Sequence, residues 1–170
     1  MTSRGGETIT YDVFNKPLTI NGSNGTSSFS YGPNHERFKQ VSSGKTTYVI
    51  NGGAYEEIVD NNTGTVTQKS YVDGFMVQTK TGSIIEVTYL HKDHLGSTEA
   101  MTDANGNLTG RMSFGVWGQR QQASWQTGTP STGELNAFKT QQGYTGHEQL
   151  DAHHLVHMGG ESMTPASEDS

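Results

Sequence analysis

Along most of the chain, apolar residues alternate with polar residues with a period of two. The alternation is clearest in residues 8–13, 26–31 and 65–68. A period of two is typical of a β-strand with one buried face, whereas the apolar face of a helix repeats every 3.6 residues. The pattern therefore predicts a series of short strands.

Turn-forming pairs separate these strands. Asn or Asp precedes Gly at five places: Asn21-Gly22, Asn24-Gly25, Asn51-Gly52, Asp73-Gly74 and Asn105-Gly106. Such pairs tolerate positive φ and favour the tight turns of β-hairpins. From residue 7 to about residue 114 we predict about ten strands, in a mainly β fold. The expected architecture is an antiparallel meander of consecutive hairpins that forms an open, curved sheet.

Helix is expected at most once, as one short helix near 147–158. Leu150, Ala152, Leu155 and Val156 give that helix weak support.

Large aromatic residues recur along the predicted strands. They are Tyr11, Tyr31, Tyr48, Tyr71, Tyr89 and Phe114, with gaps of 17 to 25 residues. A repeat of this length cannot bury its own apolar face, so neighbouring repeats must share a core, and the terminal ones expose open strand edges. An ordinary β-sandwich is the alternative that the pattern leaves open.

The composition indicates a thin core: 22 Gly, 30% hydrophobic residues and a net charge of -6. The charge is too small to compel disorder. Only 11 Lys and Arg are present, scattered singly, which argues against duplex nucleic acid as a partner. Without cysteine, neither disulfides nor a thiolate zinc site can form. No apolar run is long enough for a membrane span, and the first residues do not resemble a signal peptide.

Three ordered blocks of residues resemble the Rhs repeat-associated core domain, and an earlier block resembles one imperfect YD repeat. The residues that carry the resemblance are Tyr11, Asp12, His91, Asp93, His94, Leu95, Gly96, Ser97, Phe114, Trp117, Gly118, Gly146, His147, Glu148, His157 and Met158. The match departs from the family at Gly32 and Gly115, where the family favours Asp.

The resemblance implies a division of the chain. Residues 1–6 would be a disordered N-terminus and 7–90 YD-type hairpin repeats. Residues 89–160 would form the core-associated segment, with a polar loop at 119–142 in which Leu135 and Phe138 dock, and 161–170 a disordered tail.

The function implied is that of a shell fragment, truncated before the self-cleavage segment and toxin of its full-length relatives. Those relatives enclose and deliver a C-terminal toxin. The partners would be the remainder of the shell and the enclosed toxin, with self-association through open strand edges. The location would be secreted or at the cell surface. We expect no chemistry of its own from this piece, so no enzyme activity and no cofactor.

Histidine clusters raise a metal-site alternative. His147, His153 and His157 are weak candidates, and the last two would share a face if this stretch were helical. The motif of metalloprotease helices fails because Asp151 occupies the position four residues after His147.

The neighbouring Asp93, His94 and Ser97 contain the residue types of a catalytic triad. Contiguous residues on a turn point in different directions, so we expect no catalysis there. We expect Asp93 and Ser97 to bond backbone amides of a tight turn in which Gly96 supplies the conformational freedom.

Trp117 and Trp125 define the second functional class, a carbohydrate or cell-surface binding β-repeat module. Aromatic side chains on a polar β surface can stack on sugars, although the same side chains can instead fill the apolar face of a sheet.

Overall fold

The computed structural model describes residues 2–4, 6–124, 128–157 and 162–163. Twelve strands of this part of the chain form one antiparallel sheet, in which each strand pairs with the next in sequence. They are β1 (Thr2–Arg4), β2 (Glu7–Tyr11), β3 (Pro17–Gly22), β4 (Gly25–Tyr31), β5 (Arg37–Ser42), β6 (Lys45–Ile50), β7 (Tyr55–Asp60), β8 (Val66–Val72), β9 (Met76–Thr81), β10 (Ile84–Lys92), β11 (Thr98–Asp103) and β12 (Leu108–Arg111). The predicted open meander is confirmed, with β1 and β12 at its two edges.

The remaining elements belong to the C-terminal segment, defined as residues 112–157, and to a final strand. They are β13 (Ser113–Phe114), β14 (Arg120–Gln121), α1 (Thr132–Ala137), a 3-10 turn (Tyr144–Gly146), β15 (Glu148–Leu150), a 3-10 turn (Asp151–His153), β16 (Leu155–His157) and β17 (Ser162–Met163). β13 pairs with β14, and β15, β16 and β17 form a small three-stranded sheet. A further 3-10 turn, Asn51–Gly53, connects β6 to β7.

The short helix was predicted in the wrong place. The region near 147–158 forms the β15–β16 hairpin around a 3-10 turn, because His154 adopts a left-handed φ of 51° and Leu150 pairs with Leu155. The helix α1 lies inside the predicted polar loop instead. It begins with a capping box, in which Ser131 accepts from the backbone of Glu134 at 3.3 Å and Glu134 Oε2 accepts from the backbone of Ser131 at 2.7 Å.

Strand pairing extends into both segments that were expected to be disordered. Thr2–Arg4 pair with β2, and Ser162–Met163 pair with β16. This pairing gives backbone donors and acceptors of these residues hydrogen-bond partners.

The core lies on one side of the main sheet, called the inner face, which carries Ile9, Ile20, Phe29, Val77 and Met101. Two clusters form there. The first joins β2, β3 and β4 to the β15–β16 hairpin and contains Ile9, Ile20, Phe29, Leu150 and Leu155. The second contains Val77, Leu90, Met101 and Met112, with Tyr71, Phe114 and Phe138 packed against them. Each cluster needs side chains from both the sheet and the C-terminal segment.

One five-residue turn recurs six times in the described part of the chain. In each copy the first residue's N–H donates to the fifth residue's carbonyl, and the fourth residue's N–H donates to the first residue's carbonyl. The copies span residues 12–16, 32–36, 93–97, 103–107, 115–119 and 143–147. The fourth residue always has positive φ, from 59° at Asn15 to 88° at Gly96.

Asp at the first position adds two hydrogen bonds to this turn. The Oδ1 atoms of Asp12, Asp93 and Asp103 each accept the backbone N–H of the third and fifth residues at 2.8 Å. Gly32 and Gly115 occupy the same position in two other copies. There the side chain of the fifth residue, Glu36 or Gln119, folds back into the space that a Cβ would need. In both copies a side chain of the turn itself therefore lies close to where a side chain at the first position would begin.

Replacing Asp93 by Ala should lower the free energy of unfolding by about 1 kcal/mol, because two backbone N–H groups lose their acceptor. Desolvation alone would raise the pKa of Asp93. Hydrogen bonds from the backbone of Ser97 and Leu95 outweigh this effect and hold the pKa below its usual value. The contribution should accordingly be lost as pH falls through that lowered pKa. Urea unfolding at several pH values measures both effects. Asp93→Asn keeps a side-chain oxygen and should cost less; an equal loss in both variants would contradict this role.

Candidate functional site: the C-terminal segment on the inner face

The β15–β16 hairpin is fastened to the inner face through His153. This side chain is buried, with Nδ1 at 2.8 Å from Glu7 Oε1 and Nε2 at 2.7 Å from Ser27 Oγ. Beside it, Asn24 Nδ2 donates to the Ala152 carbonyl at 3.1 Å. Both ring nitrogens of His153 are thus occupied by the sheet. The role that this geometry supports is attachment of the segment to β2 and β4.

A second attachment surrounds Phe29. Arg37 forms an ion pair with Glu148 and lies 5.9 Å from the centroid of the Phe29 ring. The Phe29 ring also stacks on His157, with ring centroids 6.3 Å apart and planes at 25°. Burial, together with the positive charges of Arg37 and Lys16, lowers the pKa of His157 to about 4. His157 is therefore neutral at pH 7.

Arg120 organises the interior of the segment itself. Its Nε donates to Asp151 Oδ1 at 2.7 Å, its Nη1 lies 2.9 Å from the Met112 sulfur, and its guanidinium sits 4.6 Å from the Phe138 ring centroid. Burial raises the pKa of Asp151, while the charge of Arg120 opposes that rise. The pair ties β14 to the turn before β16.

Tyr71 and Thr140 connect the segment to the middle of the sheet. The Tyr71 hydroxyl lies 3.1 Å from Thr140 Oγ1 and donates to Glu56 Oε2 at 3.3 Å. Burial raises the pKa of Tyr71 well above its usual value and also raises the pKa of Glu56. Nearby, Lys139 and Glu86 are 3.2 Å apart but exposed, so this ion pair contributes little to stability.

Ser97 contacts the backbone of another turn. It is buried, and its Oγ accepts the backbone N–H of Thr145 at 3.0 Å. The next residue, Thr98, donates its N–H to the Gly143 carbonyl at 3.2 Å. Asp93 bonds backbone amides of its own turn, as predicted, whereas Ser97 bonds a different turn. His94 is exposed on the turn between them.

The candidate metal ligands lie on different elements. His153 belongs to the 3-10 turn, His157 to β16, and His147 follows the turn before β15. The shared helical face predicted for His153 and His157 was wrong, because no helix forms there. Within residues 6–124 and 128–157, no group of three or more His, Asp or Glu side chains is arranged to hold a metal ion.

The aromatic candidates for glycan binding are only partly described. Trp117 is the third residue of turn 115–119 and is 50% exposed. Trp125 lies outside the described residues, as does Met158 of the family motif. The fourth residue of the same turn, Gly118, packs so closely on Tyr144 that a Cβ would lie 2.7 Å from its ring. That contact joins turn 115–119 to turn 143–147.

The other motif residues occupy turns and strand ends. Tyr11 and Asp12 mark the end of β2 and the start of turn 12–16, and His91 Nε2 lies 2.9 Å from Thr102 Oγ1 across β10 and β11. Leu95 is exposed at the third position of its turn, while Gly146 supplies the positive φ of turn 143–147.

Several residues of this interface were not identified from the sequence: Glu7, Ser27, Arg37, Glu56, Arg120 and Asp151. The period of two offered a partial signal. Glu7 lies two residues before Ile9 and Ser27 two before Phe29, so each shares a face with a core residue. A polar side chain buried on an apolar face needs a hydrogen-bond partner, but the period-two pattern does not identify that partner.

No helix in the described part of the chain is long and apolar enough to cross a bilayer.

Comparison with known proteins finds similar solved structures. No family model matches the sequence, and no curated protein matches it. The solved structure of TcdB2-TccC3 superimposes with a TM-score of 0.70 at 14% identity, over 93% of this chain and 8% of that chain. TcdB2-TccC3-Cdc42 gives 0.72 at 14% identity, over 95% and 8%. The Photorhabdus luminescens Tc holotoxin pore gives 0.71 at 15% identity, over 96% and 8%.

These similarities establish the fold. The chain folds like a segment of the Tc toxin proteins named in those structures, over nearly its whole described length. It spans less than a tenth of each of the chains that it matches.

Replacing His153 by Ala should lower the free energy of unfolding by about 2 kcal/mol or more, because it opens a cavity and removes the hydrogen bonds that join His153 to Glu7 and Ser27. Thermal or urea unfolding measures the loss. His94→Ala, at an exposed histidine, should stay within about 0.5 kcal/mol of the unchanged protein. Equal effects of the two substitutions would show that His153 does not fasten the segment.

Proposed function

We propose that this chain is a segment of the wall of an Rhs/YD-type shell that encloses a toxin, and that residues 89–160 correspond to the Rhs core-associated domain. The observation that carries the proposal is the open antiparallel meander whose inner face is covered by the chain's own C-terminal segment. The structural similarity to Tc toxin proteins supports it, because it extends over 93% to 96% of the chain.

The open edges of the sheet favour a role as part of a larger shell wall over a role as an independent domain. β1 and β12 each pair on one side only among the described strands. Unpaired strand edges are a template for further strands, and isolated proteins usually protect them. In a wall, the next hairpin on each side would complete these edges.

The polar side chains of the inner face support a structural role as well. His153 and Arg37 hold the segment against the sheet through direct contacts, and Arg120 joins parts of the segment to one another. We therefore propose that the chain has no enzyme activity and needs no cofactor. Its partners would be the remainder of the shell and the enclosed toxin, and its location secreted or at the cell surface.

Edge pairing can be tested at Arg111 in β12. Met112 donates its N–H to the Glu99 carbonyl of β11 at 2.8 Å, so the backbone N–H of Arg111 points away from β11, toward the open edge. The proposal predicts that the chain self-associates with increasing concentration. Arg111→Pro should weaken this association, because proline removes the outward donor. Light scattering coupled to size-exclusion chromatography measures the mass.

Arg111→Ala is the matched control, since it removes the same side chain and keeps the N–H. It should associate like the unchanged protein. If both substitutions weakened self-association equally, the association would depend on the Arg111 side chain and not on the backbone edge of β12. A monomer at every concentration that bound a glycan, and lost the glycan on Trp117→Ala, would favour the carbohydrate-binding alternative.

A further inference from the structure

His157 occupies a site that fits a neutral imidazole. The residue is 9% exposed, its ring stacks on Phe29, and its Nε2 atom is buried without a hydrogen-bond partner in the described structure. Burying an imidazole nitrogen without a hydrogen-bond partner raises the free energy of the folded state. The increase is far larger when the ring carries a charge.

The charged groups that act on His157 come from three other parts of the described chain. Arg37 of β5, Lys16 of turn 12–16 and His147 before β15 all act against a positive charge on the ring. Glu148 is the register partner of His157 across β15 and β16. Its carboxylate already forms the ion pair with Arg37. A protonated His157 would therefore compete with Arg37 for one carboxylate.

We propose that His157 is a proton-operated latch, which holds the β15–β16 hairpin on the inner face at neutral pH and releases it in mild acid. Release would separate Leu150 and Leu155 from Ile9, Ile20 and Phe29 of the sheet. The latch is a property of this chain and does not depend on its being part of a shell.

The direction of the pH effect follows from proton linkage. Burial and the neighbouring cations hold the pKa of docked His157 at about 4, against 6.5 for a free imidazole. The released hairpin therefore binds more protons than the docked one between those values, and docking weakens as pH falls through that range. The resulting increase in the opening constant between pH 7 and pH 5 is about twentyfold.

Asp151, on the same hairpin, acts in the opposite direction. Burial raises its pKa, partly offset by Arg120, so its protonation favours the docked state. The contribution of His157 is thus isolated by comparing the protein with a variant that changes His157 alone.

Release would be local because the hairpin is small. β15 and β16 have three residues each, whereas β8, β9 and β10 have six to nine and pair with one another without His157. A short hairpin loses fewer contacts on opening than these longer strands do, so it opens at lower free energy.

The experiment is amide hydrogen exchange of the full chain at pH 7 and pH 5, corrected for intrinsic exchange, with β8–β10 as the internal reference. His157→Phe keeps a ring against Phe29 and cannot be protonated. The ratio of the hairpin opening constant in the unchanged protein to that in His157→Phe should rise about twentyfold from pH 7 to pH 5. His154→Asn, at the exposed neighbouring histidine, should follow the unchanged protein.

Three results would overturn the latch: a ratio that does not change with pH, hairpin amides equally protected at both pH values, or loss of protection in β8–β10 together with the hairpin. If His157→Phe fails to fold, His157→Gln replaces it. Direct NMR titration of the His157 ring in the unchanged protein gives an independent check, since the docked ring should remain neutral well below pH 6. Association through the β12 edge is a separate measurement, so its failure would not affect this one.

Discussion

The inner face of the sheet can be stable only if something covers it. A meander of hairpins with one apolar side exposes that side to water, and a single layer has no second sheet to pack against. In this chain the cover is the C-terminal segment, which supplies Leu150 and Leu155 to one cluster and Met112 to the other. Sheet and segment therefore depend on each other for a core.

Polar contacts decide where the segment lies. Apolar packing is not directional, and two small clusters separated by several strands would tolerate more than one placement. His153 between Glu7 and Ser27, and Arg37 against Glu148, fix the hairpin to particular strands. Separating a buried polar group from its partner raises the free energy of the folded state. Other placements of the hairpin, which would separate these pairs, are therefore disfavoured.

The strands could be predicted because their signal is local. The period of two in residues 8–13 or 26–31 records which face is buried, and the Gly-containing turns record where each strand ends. The contacts of the site could not be predicted in the same way. Glu7 and His153 are separated by 146 residues, and no pattern within either stretch identifies the other. The wrong position predicted for the helix has a similar cause. The apolar residues at 150–156 are compatible with a helix or a hairpin, and packing against the main sheet selects the hairpin.

The recurring five-residue turn has a consequence for finding such units in other sequences. Its geometry is preserved whether the first residue is Asp or Gly, whereas the fourth residue is always one that accepts a left-handed backbone. Asn15, His35 and four glycines fill that role here. A search profile anchored on the acidic position would overlook copies such as 32–36, while one anchored three residues later would recover them. Divergent members of this architecture would then become detectable from sequence where their aspartates have been replaced.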